Sequence, residues 1–249
     1  MDVLLLAAVG LWCFTTAVAG GLVGLVLGNI RLPVIVFVAA TPAAGSGANL
    51  GISAVAAATA GVTHLRAGRV DWPLVAWMAP PSIAGAVGGS VVAARLPAHV
   101  LLLVIGAALI AFGLDLLRPR RRARRRRSKR NAIPGVIAAG LTIGFLGGVV
   151  GLILGSLRMP ALLRLVATEP ARIVGTNLVV GFLVGAAGIT AHAPSGVDWT
   201  LFGIGAAASV PGAVLGARLT GRLNEQQLLR AVGCVLLVAG AAAVAQGAR

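Results

Sequence analysis

Two short segments each set one arginine between long apolar runs: Gly28-Asn29-Ile30-Arg31-Leu32-Pro33 and Gly155-Ser156-Leu157-Arg158-Met159-Pro160. An arginine so placed must pack inside protein, reach water, or extend its guanidinium to lipid headgroups. Snorkelling from a helix end is the plain reading. The chemical reading is that the two guanidiniums together offer paired hydrogen-bond donors to a small tetrahedral or pyramidal oxyanion. Gly28 and Gly155 are expected to close the first helix of each half and expose backbone at a cavity. The earlier glycines in Gly20-x3-Gly24-x3-Gly28 and Gly147-x3-Gly151-x3-Gly155 read as close helix packing.

A second anion feature follows each segment. Thr41-Pro42 and Thr168-Glu169-Pro170 are helix-start signatures, with Thr as N-cap and Pro in the first turn. Ser46 and Asn49 after one break, and Thr176 and Asn177 after the other, fall in or near first turns, where free N–H groups and the dipole favour negative charge. Asn49 aligns with Asn177 if one gap is allowed. Such polar side chains can also simply bridge helices. The expected substrate-binding set is therefore Arg31, Arg158, Asn49, Asn177, Gly28, Gly155, Thr176 and Ser46.

The remaining ionisable groups carry less. Asp71 and Asp198 precede Trp72 and Trp199, as an acidic helix start beside an interfacial anchor would. His64, His99 and His192 sit near segment ends, where a proton-relay role is the alternative to a structural one. No Ser/His/Asp arrangement, no His-Glu-x-x-His and no intramembrane acidic pair is present, so no enzymatic activity, metal or cofactor is expected. Cys13 and Cys234 lie in apolar stretches and read as small buried residues.

These groups need elements to hold them, and the composition says where those elements lie. Hydrophobic residues are 58% of the 249 and charged ones 11%, far below the roughly 25% charged residues of a soluble domain. The chain is a membrane protein. At about 20 residues per crossing it holds at most about ten spans and no water-soluble domain. Apolar stretches run over about 3–30, 32–65, 72–94, 98–117, 132–157, 159–192, 199–217 and 226–247. The two longest are interrupted at the breaks above, so each splits into a short helix of about nine residues and a full one. The first stretch lacks a basic start and a clear cleavage site, and is expected to be a permanent span.

Ten of the 21 Lys and Arg residues fall between Arg118 and Arg130, against six acidic residues in the whole chain. That run reads as a cytoplasmic loop lying near anionic headgroups. Without interleaved aromatics or a binding module it gives no sign of nucleic-acid binding. It separates two halves that match at one offset: Arg158 and Arg31 differ by 158 − 31 = 127, as do Thr168 and Thr41, Asp198-Trp199 and Asp71-Trp72, Ser209 and Ser82, Gly212 and Gly85, and Arg222-Leu223 and Arg95-Leu96. Matches among such scarce residue types establish an internal duplication. The expected organisation is an N-terminal repeat over 1–117, a basic linker over 118–131 and a C-terminal repeat over 132–249.

Duplication of this kind in a multi-span protein places a substrate site between the repeats. Basic residues fall on only one member of each equivalent loop pair: Arg66 and Arg69 after the third helix, none in Ala193-Pro194-Ser195-Gly196. That bias favours halves of opposite orientation, with both termini outside. The fold expected is an all-α polytopic membrane protein of two homologous repeats, inverted, with about eight full spans and two short broken helices.

A Gly-rich segment followed by Pro, then a polar helix start, then a Gly-x-Val-Asp-Trp-like loop, present in two hydrophobic halves, resembles the TauE/SafE sulfite-exporter family of bacterial membrane proteins. The likeness spans about Gly20 to Gly240. It implies a transporter of the cell membrane that exports sulfite, sulfoacetate or related sulfur oxyanions and organosulfonates. The family's usual Gly-x-Gly-Gly-Gly-x4-Pro is altered here, because Leu25-Val26-Leu27 and Leu152-Ile153-Leu154 replace glycines between Gly24 and Gly28 and between Gly151 and Gly155. Arg31 and Arg158 stand where the family more often has apolar residues. Coupling to protons suits a transporter without an ATPase domain, and a homo-oligomer is compatible with the pattern. The rival readings are a non-transporting membrane scaffold or chaperone, and a passive anion channel.

Overall fold

The computed structural model describes residues 3–92, scattered positions between 103 and 117, and residues 129–150, 153–192 and 197–248. Among these residues the structure is helical, with no strand. Lipid offers no partner for a bare backbone, so a chain this apolar satisfies its N–H and C=O groups within helices. The helices are α1 (Val3–Val23), α2 (Gly28–Val38), α3 (Pro42–Arg66), α4 (Trp72–Val92), α5 (Lys129–Val150), α6 (Gly155–Leu165), α7 (Pro170–His192), α8 (Trp199–Thr220) and α9 (Glu225–Gly247). Among the described residues five stretches are long and apolar enough to cross a bilayer: Val3–Val23, Gly47–Arg66, Pro170–Ala187, Trp199–Thr220 and Gln226–Gly247. Arg95, His99 and most of the basic linker lie outside the described residues.

The helix starts carry the duplication. From α2 to α6 the offset is 155 − 28 = 127, and from α4 to α8 it is 199 − 72 = 127. From α3 to α7 it is 170 − 42 = 128, because the second break holds one more residue before its proline. Thr41 caps α3 as expected, its Oγ1 accepting from Ala44 N at 3.2 Å. Thr168 does not cap α7. Glu169 stands at the N-cap position instead, its carbonyl accepting from Arg172 N and Ile173 N, and the buried Thr168 hydroxyl has no partner among the described residues. The extra residue thus moves the cap by one position and puts Asn49 and Asn177 in register.

Packing follows the same exchange of halves. α1 lies along α8 and its counterpart α5 lies along α4, while α3 and α7 touch each other and also pack on α8 and α4 respectively. Small residues bring these backbones together. A Cβ built on Gly21 would lie 2.6 Å from Ala213 O, and its counterpart Gly148 meets Ala86 O in the same way. A Cβ on Gly212 would lie 2.5 Å from Phe14 O, and Gly85 meets Leu141 O. The described positions of the 98–117 stretch run along α9, with Gly113 against Gly233 O and Gly106 against Gly240 O.

One expectation about the breaks is corrected. The first helix ends at Val23, five residues before Gly28, because Gly24 adopts a left-handed φ of +73°. Leu25 N then donates back to Gly20 O at 2.9 Å, closing the helix in a Schellman turn. Gly28 and Gly155 are accordingly first residues of α2 and α6, helices of 11 residues each that begin before the arginines rather than after them. Asp198 caps α8, its carboxylate accepting from Leu201 N, with Trp199 exposed beside it.

Candidate functional site

Both arginines lie in the first turn of a short helix, and neither reaches a surface. Arg31 is 2% exposed and Arg158 is 1% exposed, so the snorkelling reading does not hold for either. They turn inward because α3 and α7 pass over α2 and α6.

In the first half the site is a closed set of hydrogen bonds. Arg31 Nε donates to Asn49 Oδ1 at 2.9 Å, and Arg31 Nη2 donates to Asn49 O at 3.2 Å and to Ser53 Oγ at 2.6 Å. Asn49 Nδ2 donates to Gly28 O at 3.1 Å, joining the start of α2 to the middle of α3. Asn49 and Ser53 are four residues apart and share one face of α3. The approach leaves no space at position 28, where a Cβ would lie 2.8 Å from Ser53 Oγ.

The second half repeats the plan with a gap in it. Asn177 Nδ2 donates to Gly155 O at 3.0 Å and also crosses to Gly24 O at 2.6 Å, tying α7 to the break of the other half. Among the described residues Arg158 Nε and Nη1 have no partner, and neither has Asn177 Oδ1, although Arg158 and Asn177 are each 1% exposed. The residue four after Asn177 is Gly181, where the first half has Ser53; a Cβ built there would lie 4.0 Å from Arg158 Nη1.

The two half-sites face each other across Val26 and Ile153, equivalent at 153 − 26 = 127, which pack in one buried apolar cluster with Leu50 and Ala57. On the Arg31 side, Thr16, Gly20, Gly21, Val26, Arg31, Ser53 and neighbouring residues line a partly open pocket of about 10 Å³, no more room than one water needs. Val26 Cγ2 also approaches Gly181 to 3.2 Å from a Cβ built there, so this side chain separates the cavity from Arg158.

Of the expected site residues, Gly28, Arg31 and Asn49 meet in one cluster, and Gly155 and Asn177 meet in the other. The carbonyls of Gly28 and Gly155 are engaged by the asparagines rather than free at a cavity. Thr176 faces elsewhere: its Oγ1 accepts from Asp71 N at 2.9 Å and donates to Arg172 O at 2.7 Å. Ser46 lies in the first turns of α3, and its side chain is outside the described residues. His64, fully buried, contacts Gly21 O through Nε2 at 3.2 Å. His192 ends α7, its side chain also outside the described residues. Ser53, Gly181, Val26 and Ile153 were not among the sequence-derived candidates. The i, i+4 spacing after each asparagine was the signal for Ser53 and Gly181.

A helical chain with several bilayer-length apolar segments and a buried arginine in each of two short helices is a multi-pass membrane transporter in class. The sulfite exporter TauE/SafE family model matches residues 9–243, and the chain belongs to that family. It is 28% identical over 240 residues to the probable membrane transporter protein YjnA of Bacillus subtilis (strain 168), a match covering 89% of this chain and 94% of that protein. It is 33% identical over 103 residues to the probable membrane transporter protein YunE of the same organism, covering 41% of this chain and 36% of the other. No solved structure matches the chain.

Proposed function

We propose that this protein is a secondary transporter that carries a small anion out of the cell, of the class of sulfite, another sulfur oxyanion or an organosulfonate. The observation that carries this reading is the pair of buried guanidiniums at Arg31 and Arg158, which among the described residues meet no acidic side chain: Arg31 bonds neutral groups, and Arg158 Nε and Nη1 find no acceptor. Two uncompensated cations inside an apolar protein are costly, and a negative solute between the halves offsets that cost. Arg31, Arg158, Asn49, Asn177, Gly28 and Gly155 line the path, with Ser46 toward the start of α3. The chain crosses the membrane about eight times, with α2 and α6 as the broken helices. Its halves, 1–117 and 132–249, run in opposite orientations with both termini outside. The 118–131 linker lies against anionic headgroups on the cytoplasmic side, and proton coupling supplies the driving force.

Reconstitution tests this directly. Sulfite efflux from proteoliposomes is expected to vanish in Arg31→Ala/Arg158→Ala and to respond to a pH gradient in the wild type. Unchanged flux in the double variant overturns the reading. Proton-independent electrogenic flux identifies a channel instead. A protein that neither moves nor is thermally stabilised by any of sulfite, sulfate, thiosulfate and organosulfonates is a scaffold.

In this reading Val26 and Ile153 form the apolar barrier of a closed state. Val26→Ala/Ile153→Ala is expected to raise passive sulfite leak about tenfold or more while leaving the fold intact, since the pair lies off the main helix crossings. A leak equal to that of the wild type removes the barrier role.

A further inference from the structure

We infer that the two arginines have different tasks: Arg158, together with Asn177, makes the ligand contact, Arg31 is a positioning residue, and the ligand is an oxyanion that still carries a proton. This rests on the transport reading above and adds which half-site binds and what it selects.

The difference originates in one residue. On α3 the face that meets the arginine carries Asn49 and, four residues on, Ser53; on α7 it carries Asn177 and, four residues on, Gly181. Ser53 Oγ accepts from Arg31 Nη2 at 2.6 Å, which together with Asn49 Oδ1 and Asn49 O occupies the side of the guanidinium facing α3. Gly181 has no oxygen to give. Arg158 Nε and Nη1 therefore remain as two buried donors without acceptors among the described residues. Nε–H shares its edge of the guanidinium with Nη2, whereas Nη1–H leaves from the other side, so the two orphan donors take separate acceptors and a small anion meets Nε–H through one oxygen. Buried N–H groups of a cation are held without acceptors only at a penalty, which an incoming oxyanion removes.

The partner group sets the second property. Asn177 is oriented by its own bonds: Nδ2 donates to Gly24 O and Gly155 O, so the amide cannot flip without losing both. Its Oδ1 is consequently an acceptor, and it is the buried counterpart of the Asn49 Oδ1 that faces Arg31. The orphan Nε–H donor and the orphan Oδ1 acceptor match a ligand that offers a bare oxygen and an O–H. Hydrogen sulfite and dihydrogen phosphate have that pattern. Sulfate and alkanesulfonates have no O–H, and they would leave Oδ1 unpaired. A site built to bond a ligand hydroxyl discriminates strongly against analogues that lack it.

The test uses the full-length protein in detergent or nanodiscs. Binding of sulfite, phosphate, sulfate and methanesulfonate is measured by calorimetry in the wild type, Gly181→Ser and Ser53→Gly. Serine at 181 fits, because its Cβ meets only Val26 Cγ2 at 3.2 Å, Ile153 Cγ2 at 3.9 Å and Arg158 Nη1 at 4.0 Å. Its hydroxyl supplies Arg158 with the acceptor that Ser53 gives Arg31. Gly181→Ser is expected to weaken sulfite binding at least tenfold with an unchanged melting profile. Ser53→Gly is expected to hold affinity within about threefold. In the wild type, phosphate is expected to bind at least tenfold more tightly than sulfate at pH 6, although the two are alike in shape. Equal weakening by both substitutions, or none by Gly181→Ser in a folded protein, overturns the assignment to Arg158. Equal affinity for sulfate and phosphate overturns the proton requirement. If the folded wild type binds none of the four anions and moves none, the transport reading itself falls.

Discussion

Gly148→Leu is expected to be the most damaging single change in the membrane region, costing more than about 3 kcal/mol and leaving little folded protein after detergent extraction. The α4–α5 contact is built from backbone against backbone: Gly85 on Leu141 O, Gly144 on Ser82 O and Gly148 on Ala86 O. A side chain on Gly148 meets a carbonyl that cannot swing away, so the helices must separate along the whole seam. Overpacking typically costs about 1–3 kcal/mol where side chains can yield, and more where the obstacle is main chain. Lipid adds to the loss, since helices in a membrane associate through packing rather than through expulsion of water. Gly21→Leu, the equivalent change at the α1–α8 seam, is expected to act alike, because a Cβ there already lies 2.6 Å from Ala213 O. Gly203→Leu is the control. That position is exposed with nothing within 4 Å, so its melting temperature should stay near that of the wild type. Thermal unfolding followed by size-exclusion chromatography separates the cases, and a Gly148→Leu protein that melts with the wild type refutes the seam.

These seams explain which features could be read from residue types alone. The duplication was legible because Arg, Asp, Trp and Pro are scarce in the chain, and α2, α4, α6 and α8 begin where the 127-residue offset puts them, since 28 + 127 = 155 and 72 + 127 = 199. The end of α1 was not legible. Gly24 is one of 35 glycines, and its left-handed φ, at a place where a Cβ would lie 2.7 Å from Val174 Cα, has no signature in the sequence. Thr168 resembled Thr41 in sequence and differs in role because one inserted residue moved the cap to Glu169, a change that a fixed offset conceals. The arginines were recognisable as paired, whereas their burial depended on α3 and α7 folding over them, a tertiary event with no local signature. Thr176 illustrates the reverse error of emphasis. Its place beside Asn177 suggested the site, yet one step around a helix turns a side chain by about 100°, and its hydroxyl serves the junction with Asp71.

Replacing each arginine with methionine should change stability in opposite directions, a result that ancestry from one duplicated element would not suggest. Arg31→Met removes the donor for Asn49 Oδ1, Asn49 O and Ser53 Oγ together, stranding acceptors in a buried site. Each buried group left unsatisfied costs about 1–3 kcal/mol, so the variant should be less stable by about 2–4 kcal/mol. Arg158→Met strands little, because Arg158 Nε and Nη1 satisfy no acceptor to begin with. A straight apolar chain of similar length then replaces a buried charge, and such exchanges are neutral or stabilising by about 1–4 kcal/mol. Methionine also adapts to the space beside Val26 and Gly181 through its three rotatable bonds. Melting of the ligand-free proteins reads the effect directly: Arg31→Met below the wild type, Arg158→Met at or above it. The same Arg158→Met protein should bind no sulfite, so that one substitution raises stability while abolishing binding, as expected where a strained charge is kept for function. Destabilisation by Arg158→Met as large as that by Arg31→Met would mean that both guanidiniums are equally satisfied, and the difference drawn between the two halves would be lost.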